Sequence, residues 1–372
     1  MKAVGIVAEY NPFHNGHIYH LNKAKEVSGA DVSVVVMSGN FVQRGQFACI
    51  DKWQRAKIAI QHGADLVLEL PFVFATQAAS EFASGAIDIL AKAKVSSIVF
   101  GSETNNLEEL KEIASLSFNP NNFKENMKKG YSYPKVYSYM ATDYGPNDIL
   151  GICYLRALAK YPEIEPISIL RTSDYHNDEL DEKLPSALAI RTALKNNQDV
   201  SEYTPMSQQL SQFVSPTMED CYGYIRNIIL TSSPEELNKI FLMDEGIENL
   251  FRKQAYKCND YNSFMEGCLS RRYTRSRINR TLVQLLVHNT KDEMNCLEPY
   301  STLRVLAYND KGKEYLKYLQ ENEVSVANHY TANQKQYRDI EYKAAVAYSI
   351  NLSPDMREYI CRSEICGLNI KK

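Results

Sequence analysis

From residue 1 to about residue 195, short apolar runs alternate with amphipathic stretches, and few folds accept that order. A run such as AVGIVA carries no polar alternation, which fits a strand buried on both faces, and such strands belong to parallel sheets. Parallel neighbours cannot be joined by a tight hairpin, so each pair needs a crossover, usually a helix. The pattern predicts strands at Ala3–Ala8, Val32–Met37, Leu66–Leu70, Ser97–Phe100 and Pro166–Leu170. It predicts helices at His17–Val27, Asp51–His62, Gln77–Ala93, Asn147–Lys160 and Ser186–Lys195. The expected fold is α/β, a Rossmann-like doubly wound parallel sheet, whose ligands bind at the carboxyl ends of the strands.

Two stretches break the alternation. Asn119 to Tyr144 is rich in Asn, Lys and Tyr and reads as an insertion or flap. Asn197 to Pro216 turns polar, which places the domain boundary at 196/197. Helical periodicity dominates beyond it, at Glu235–Phe241, Arg277–Val287 and Tyr342–Ile350, so residues 197–372 are expected to form a mostly helical second domain. The net charge of -3 gives no global basic field, so a nucleic-acid partner has to be held by a local patch. Eight scattered cysteines with no CxxC pair, and no signal peptide or membrane-length apolar run, point to a cytoplasmic protein. No membrane role is expected, and no protein partner can be inferred.

The chemistry gathers after the first strand, in EYNPFHNGHIYHL. Pro12 and Gly16 are turn residues, and His17 falls where a helix should begin. Three of the seven histidines stand at 14, 17 and 20, a spacing that puts them on one helix face. A helix start offers free N–H groups and the positive dipole end to phosphate. Gly16, without a Cβ, lets a base or ribose approach the backbone. Nucleotidyl transfer depends on donors aimed at the reacting phosphorus more than on a nucleophile, and His14 and His17 suit that catalytic role. No carboxylate or cysteine stands at a familiar zinc-ligand spacing, so no metal site is expected.

These residues resemble the HxGH nucleotidylyltransferase superfamily. More closely, the chain resembles the bacterial tRNA(Met) cytidine acetate ligases, through VAEYNPFHNGHIYHL, SGNFVQRG, DKWQRAKIA, FGSE, PNDILG, SALAIR and RRYTRSRINR. The resemblance covers both halves. It implies an AMP-forming ligase that activates acetate with ATP as acetyl-adenylate, then acetylates N4 of the wobble cytidine of elongator tRNA(Met). It implies ATP, accompanied by Mg2+, as the nucleotide substrate. By matching position, the ATP site would comprise Val7, Ala8, Glu9, Tyr10, Asn11, Pro12, Phe13, His14, Asn15, Gly16, His17, Ile18, Tyr19 and His20, together with Gly101, Asn147 and Arg171. The superfamily's second signature, often ISxTxIR, reads LPSALAIR here, with Leu188 where a second hydroxyl is usual.

Asn40, Gln43 and Arg44 follow the second strand and are candidates for a small acyl pocket beside ATP, with a structural turn as the alternative. Asp51 reads as a helix cap and Trp53 as core. Arg271, Arg272, Arg275, Arg277 and Arg280 surround Tyr273, and guanidinium forks with an interleaved aromatic suit tRNA, whereas the alternative is a solvated helix face. Tyr131, Tyr133, Tyr137, Tyr139 and Tyr144 either touch RNA or pack the flap. Two other functions compete: a small-molecule nucleotidylyltransferase, which would not need the helical half, and an RNA-binding factor with a regulatory nucleotide site, against which the intact HNGH argues.

Overall fold

A computed structural model of the chain describes residues 1–116, 144–171, 186–330 and 332–367. Its strands are β1 (Ala3–Ala8), β2 (Val32–Ser38), β3 (Phe41–Val42), β4 (Gln46–Phe47), β5 (Leu66–Leu70), β6 (Ser97–Ser102), β7 (Glu165–Leu170), β8 (Leu303–Tyr308) and β9 (Val326–Ala327). Seven of them form one sheet in the order β7-β6-β1-β2-β5-β8-β9, and β3 and β4 form a separate hairpin. The five strands expected from the apolar runs are present and mutually parallel. Every residue of β2 and β5 is buried, which explains why neither run alternates.

The chain winds from β1 through β2 to β5, then returns to lay β6 on the other side of β1. That reversal opens a crevice at the carboxyl ends of β1 and β6. Two helices frame it from below: α1 (Asn15–Ser28) after β1 and α2 (Lys52–Gln61) after the hairpin. No helix among the described residues is long and apolar enough to cross a membrane. All eight cysteines are free thiols. Tyr131, Tyr133, Tyr137 and Tyr139 lie outside the described residues.

The second half is mostly helical, with helices at Met218–Thr231, Ile247–Lys257, Tyr261–Cys268 and Arg275–Val287. It also returns to the sheet, which periodicity did not foresee: β8 pairs antiparallel with β5, and β9 lies parallel to β8. The apolar core accordingly runs without a break from Val34, Leu68 and Phe82 to Leu282, Leu303 and Tyr348.

What made β8 illegible is Arg304, a charge in the middle of a buried strand. It is 1% exposed and belongs to a knot of five buried ionisable groups. Arg304 Nη1 meets Glu69 Oε2 at 2.8 Å and also bonds Glu364. Lys52 Nζ lies 2.7 Å from Glu364 Oε2 and 3.7 Å from Glu341 Oε2, and bonds Glu69 as well. The Arg304 guanidinium lies over the rings of Tyr330 and Trp53, at 4.6 and 5.3 Å. Three carboxylates against two cations leave one negative charge in excess, and burial among its neighbours, Glu69 above all, pushes Glu341 up to about 8.

Glu341 therefore binds a proton in the fold that it releases on unfolding. A carboxyl whose folded pKa exceeds its ordinary 4.5 favours the fold at low pH, and that contribution is lost as pH rises towards about 8. Glu341→Gln, which keeps an oxygen for the Phe72 N–H that Glu341 accepts, should flatten the fall in stability between pH 5 and pH 8. Urea unfolding across that range measures it, and an unchanged pH slope in the variant would refute the assignment.

Candidate active site

A cleft of 390 Å³ opens where β1, β6 and β7 end, a size within the range of about 300–1,000 Å³ for small-molecule sites. Its floor is the turn between β1 and α1. Tyr10 takes a left-handed φ of 49°, the Asn11–Pro12 peptide is cis, and His14 is the N-cap of α1. Tyr10 and Phe13 are buried and pack against the His17 ring with centroids at 4.8 and 5.6 Å.

The two motif histidines cap the helix reciprocally. His14 Nδ1 accepts from Gly16 N at 3.1 Å, and His17 Nδ1 accepts from the His14 N–H at 3.2 Å. Their rings lie 3.7 Å apart. An Nδ1 that accepts a hydrogen bond leaves the proton of a neutral imidazole on Nε2, so capping assigns the tautomer of both rings. Burial, and then Arg171 and Arg191, pull His14 down to about 3; burial and the neighbouring His14 and His20 hold His17 well below its ordinary range. Both are therefore neutral donors through Nε2 at physiological pH. The Gly16 position serves this geometry: a Cβ there would stand 2.9 Å from His14 Cε1, so the glycine makes room for the capping ring, and it also lines the cleft.

The far wall is β6, β7 and the helix Pro146–Leu158. Glu103 caps that helix, accepting from Asn147 N at 3.0 Å, Asn147 Nδ2 at 2.6 Å and Asp148 N at 2.7 Å. Asp148 reciprocates, accepting from Glu103 N at 3.1 Å, Thr104 N at 3.0 Å and the Ser102 hydroxyl. Arg171 Nη1 donates to Asn147 Oδ1 at 3.2 Å, which turns the Asn147 amide towards β7. A side chain at Gly101 would meet Arg171 Cγ at 3.0 Å. The helix Ala187–Lys195 closes the rim, with Ser186 as its cap through a 3.1 Å bond from Ala189 N, and Arg191 Nη1 donates to the Asn11 carbonyl. Leu188, where a hydroxyl was usual, lines the cleft and is 38% exposed.

Val7, Ala8, Glu9, Tyr10, Asn11, His14, Gly16, His17, Tyr19 and His20 line the cleft with Gly101, Asn147 and Arg171. Pro12, Phe13, Asn15 and Ile18 are not part of its lining. Gln43 and Arg44 reach it from the hairpin, but Asn40 does not: its Oδ1 accepts from Lys52 N at 2.9 Å and holds the start of α2. Arg55, which the sequence marks only as part of the helix start in DKWQRAKIA, is fully buried and makes no salt bridge among the described residues. It donates to the carbonyls of Ile50 (2.9 Å), Glu9 (2.6 Å), Ser38 (3.1 Å) and Gly39, clamping the ends of β1 and β2. No periodicity signal marks a residue that bonds only backbone.

The family model described as HIGH Nucleotidyl Transferase matches residues 1–360. A tRNA(Met) cytidine acetate ligase of Caldicellulosiruptor bescii is 36% identical over 376 residues, covering 95% of this chain and 93% of its own. One from Limosilactobacillus reuteri is 38% identical over 329 residues, covering 85% of this chain and 86% of its own. The chain belongs to the tRNA(Met) cytidine acetate ligase family. Crystal structures of Thermotoga maritima TmcAL extend the match to three dimensions at 30% identity, each covering 96% of both chains. The TM-score is 0.87 for the apo form and 0.84 for the form bound with alpha-thio ATP.

In this member of the family the arginine segment divides. Arg271, Arg272 and Arg275 are exposed, the last two in surface ion pairs with Glu245 (3.5 Å) and Glu266 (2.5 Å). Arg277 is half-buried and donates to the Leu242 carbonyl at 3.0 Å. Arg280 is buried and reaches the Gln43 carbonyl at 3.4 Å. Here the backbone of Arg280 presses on Gly45, whose φ of +70° and lack of a Cβ let the hairpin dock on the helix Arg275–Val287. Tyr273 is buried too, its hydroxyl donating to the Glu245 carbonyl at 2.6 Å, so it packs rather than stacks on a base.

Proposed function

We propose that this protein activates acetate with ATP as acetyl-adenylate and transfers the acetyl group to N4 of the wobble cytidine of elongator tRNA(Met), in the cytoplasm. The observation that carries this reading is the pair of neutral imidazoles at the β1–α1 turn, each with Nδ1 engaged and Nε2 left as a donor. Donors held in advance at a helix start stabilise charge growing on an α-phosphate without reorganising. The acetate carboxylate displaces pyrophosphate there and leaves a mixed anhydride. Support for the nucleotide comes from the TmcAL relative bound with alpha-thio ATP.

Glu9 is the only carboxylate among the described residues that line the cleft. Mg2+, which prefers to keep several waters, would then travel on the triphosphate rather than in a protein cage, and charge neutralisation there is what it would supply. Gln43 and Arg44 stand as the acyl-side candidates. We assign residues 1–196 to catalysis and the helices beyond 197 to tRNA. Within them Arg271, Arg272 and Arg275 carry the RNA contact, while Arg277 and Arg280 hold the surface in place.

Labelled acetate, ATP and an elongator tRNA(Met) transcript, without acetyl-coenzyme A, test the reaction. Labelled N4-acetylcytidine should form with AMP and pyrophosphate. ADP formation or a need for acetyl-coenzyme A would overturn the mechanism. Replacing Arg271, Arg272 and Arg275 together should weaken tRNA binding and lower its salt slope by about one for each lost phosphate contact, with ATP affinity unchanged. An unaltered salt slope would return the segment to solvent.

A further inference from the structure

Acyl transfer makes a demand that the histidines do not meet. The N4 amine of cytidine is a poor nucleophile and must shed a proton as it forms the amide. His14 and His17 cannot take it, because each Nδ1 lone pair is engaged by a backbone N–H and each Nε2 carries the proton. Glu9 stands in the same cleft, on the last turn of chain before the HNGH segment. Its Oε1 accepts from Gln43 N at 2.7 Å, and Oε2 has no hydrogen-bond partner among the described residues. Arg55 fixes the Glu9 carbonyl at 2.6 Å, so the backbone that aims this carboxylate is clamped to β2.

We propose that Glu9 is the general base of the acyl-transfer step, with Oε2 accepting the proton that the cytidine N4 amine loses as it attacks the acetyl-adenylate. The inference rests on the function proposed above. The N4 lone pair forms a bond to the acetyl carbon, and the carbonyl π pair moves to oxygen. The N4 proton passes to Oε2. When the tetrahedral centre collapses, the bond from the acetyl carbon to the phosphate oxygen breaks and its electron pair leaves with AMP. Protonated Glu9 then returns its proton to solvent.

The surroundings fit a base. Among the described residues no salt bridge forms to Glu9. Burial raises its pKa from 4.5, against the fields of Arg191 on the helix Ala187–Lys195, Arg44 on the hairpin and Arg55 on α2. Tyr154, from the helix Pro146–Leu158, faces it as a neutral phenol. A carboxylate whose pKa is raised is a better base than an ordinary one. His20, whose Nε2 is buried, is pulled down to about 4 and is the weaker base. A carboxylate also accepts a hydrogen bond from cytosine N4, whereas the O4 of uracil, itself an acceptor, offers it none.

The test supplies synthetic acetyl-adenylate and the tRNA transcript to the full-length protein in single turnovers from pH 5 to pH 9. Wild-type transfer should rise with pH through the ionisation of Glu9. Glu9→Gln should transfer about 10²-fold or more slowly and lose that acid limb, while Glu9→Asp should retain the limb at a reduced rate. Melting curves and tRNA affinity check both variants for folding, and acetate-dependent ATP–pyrophosphate exchange follows adenylation separately. An unchanged rate or an unchanged acid limb in Glu9→Gln would overturn the proposal. So would a loss of transfer that only follows a loss of tRNA affinity. A wild-type protein that forms acetyl-adenylate yet never acetylates cytidine would refute the function itself, which is a different failure.

Discussion

His17→Ala should slow acetyl-adenylate formation by about 10² to 10³, the usual cost of removing one preorganised donor from a developing oxyanion. The loss should appear in kcat more than in KM, because Nε2 matters most when charge grows on the phosphate. His14 requires a different substitution. Its ring is both a donor to the cleft and the N-cap of α1, so His14→Ala also removes a cap worth roughly 0.5–2 kcal/mol. His14→Ser separates the two roles, since serine is a preferred N-cap residue that cannot reach the phosphate. It should retain most of the stability and lose the same two to three orders of magnitude in rate. ATP–pyrophosphate exchange and thermal melts decide this, and near-normal exchange in both His17→Ala and His14→Ser would remove the site.

The largest effect on stability should come from Arg304→Met. The substitution roughly keeps the volume between Trp53 and Tyr330 but strands Glu69 and Glu364, both essentially unexposed, opposite Lys52 alone. Breaking a buried ion network from one side costs about 3–5 kcal/mol. Adding Glu364→Gln to Arg304→Met should recover much of that, because the excess negative charge is then smaller, and the double-mutant cycle measures the coupling. A loss below about 1 kcal/mol in the single variant, measured by denaturant unfolding at pH 8, would mean that water reaches the knot.

Much of this molecule was legible in its residues because the signals were local. Buried parallel strands leave continuous apolar runs, so β1, β2, β5, β6 and β7 declared themselves within a residue or two. HNGH lay at a strand-to-helix turn, and a helix start is a physical site whatever the rest of the fold does. What escaped notice depended on partners distant in sequence. β8 is interrupted by Arg304, whose carboxylates come from residues 69 and 364. Asn40, read as pocket, holds a helix start, and Arg280, read as RNA contact, supports the hairpin. Glu103, present in the sequence only as part of FGSE, accepts from the amides of Asn147 and Asp148, more than forty residues on. Composition shows that a charge exists but not which buried charge it will meet.

The knot also constrains how the protein can be made. Lys52 and Glu69 leave the ribosome before Arg304, Glu341 and Glu364, which follow more than two hundred residues later. Domains that fold as they emerge complete their cores from their own residues. The sheet of this protein cannot, since β5 waits for β8, and Arg304 on that strand waits for Glu364. The nascent chain must therefore hold β5 as an unfinished sheet edge until Leu303–Tyr308 has been added, and the knot stays short of a carboxylate until Glu364 follows.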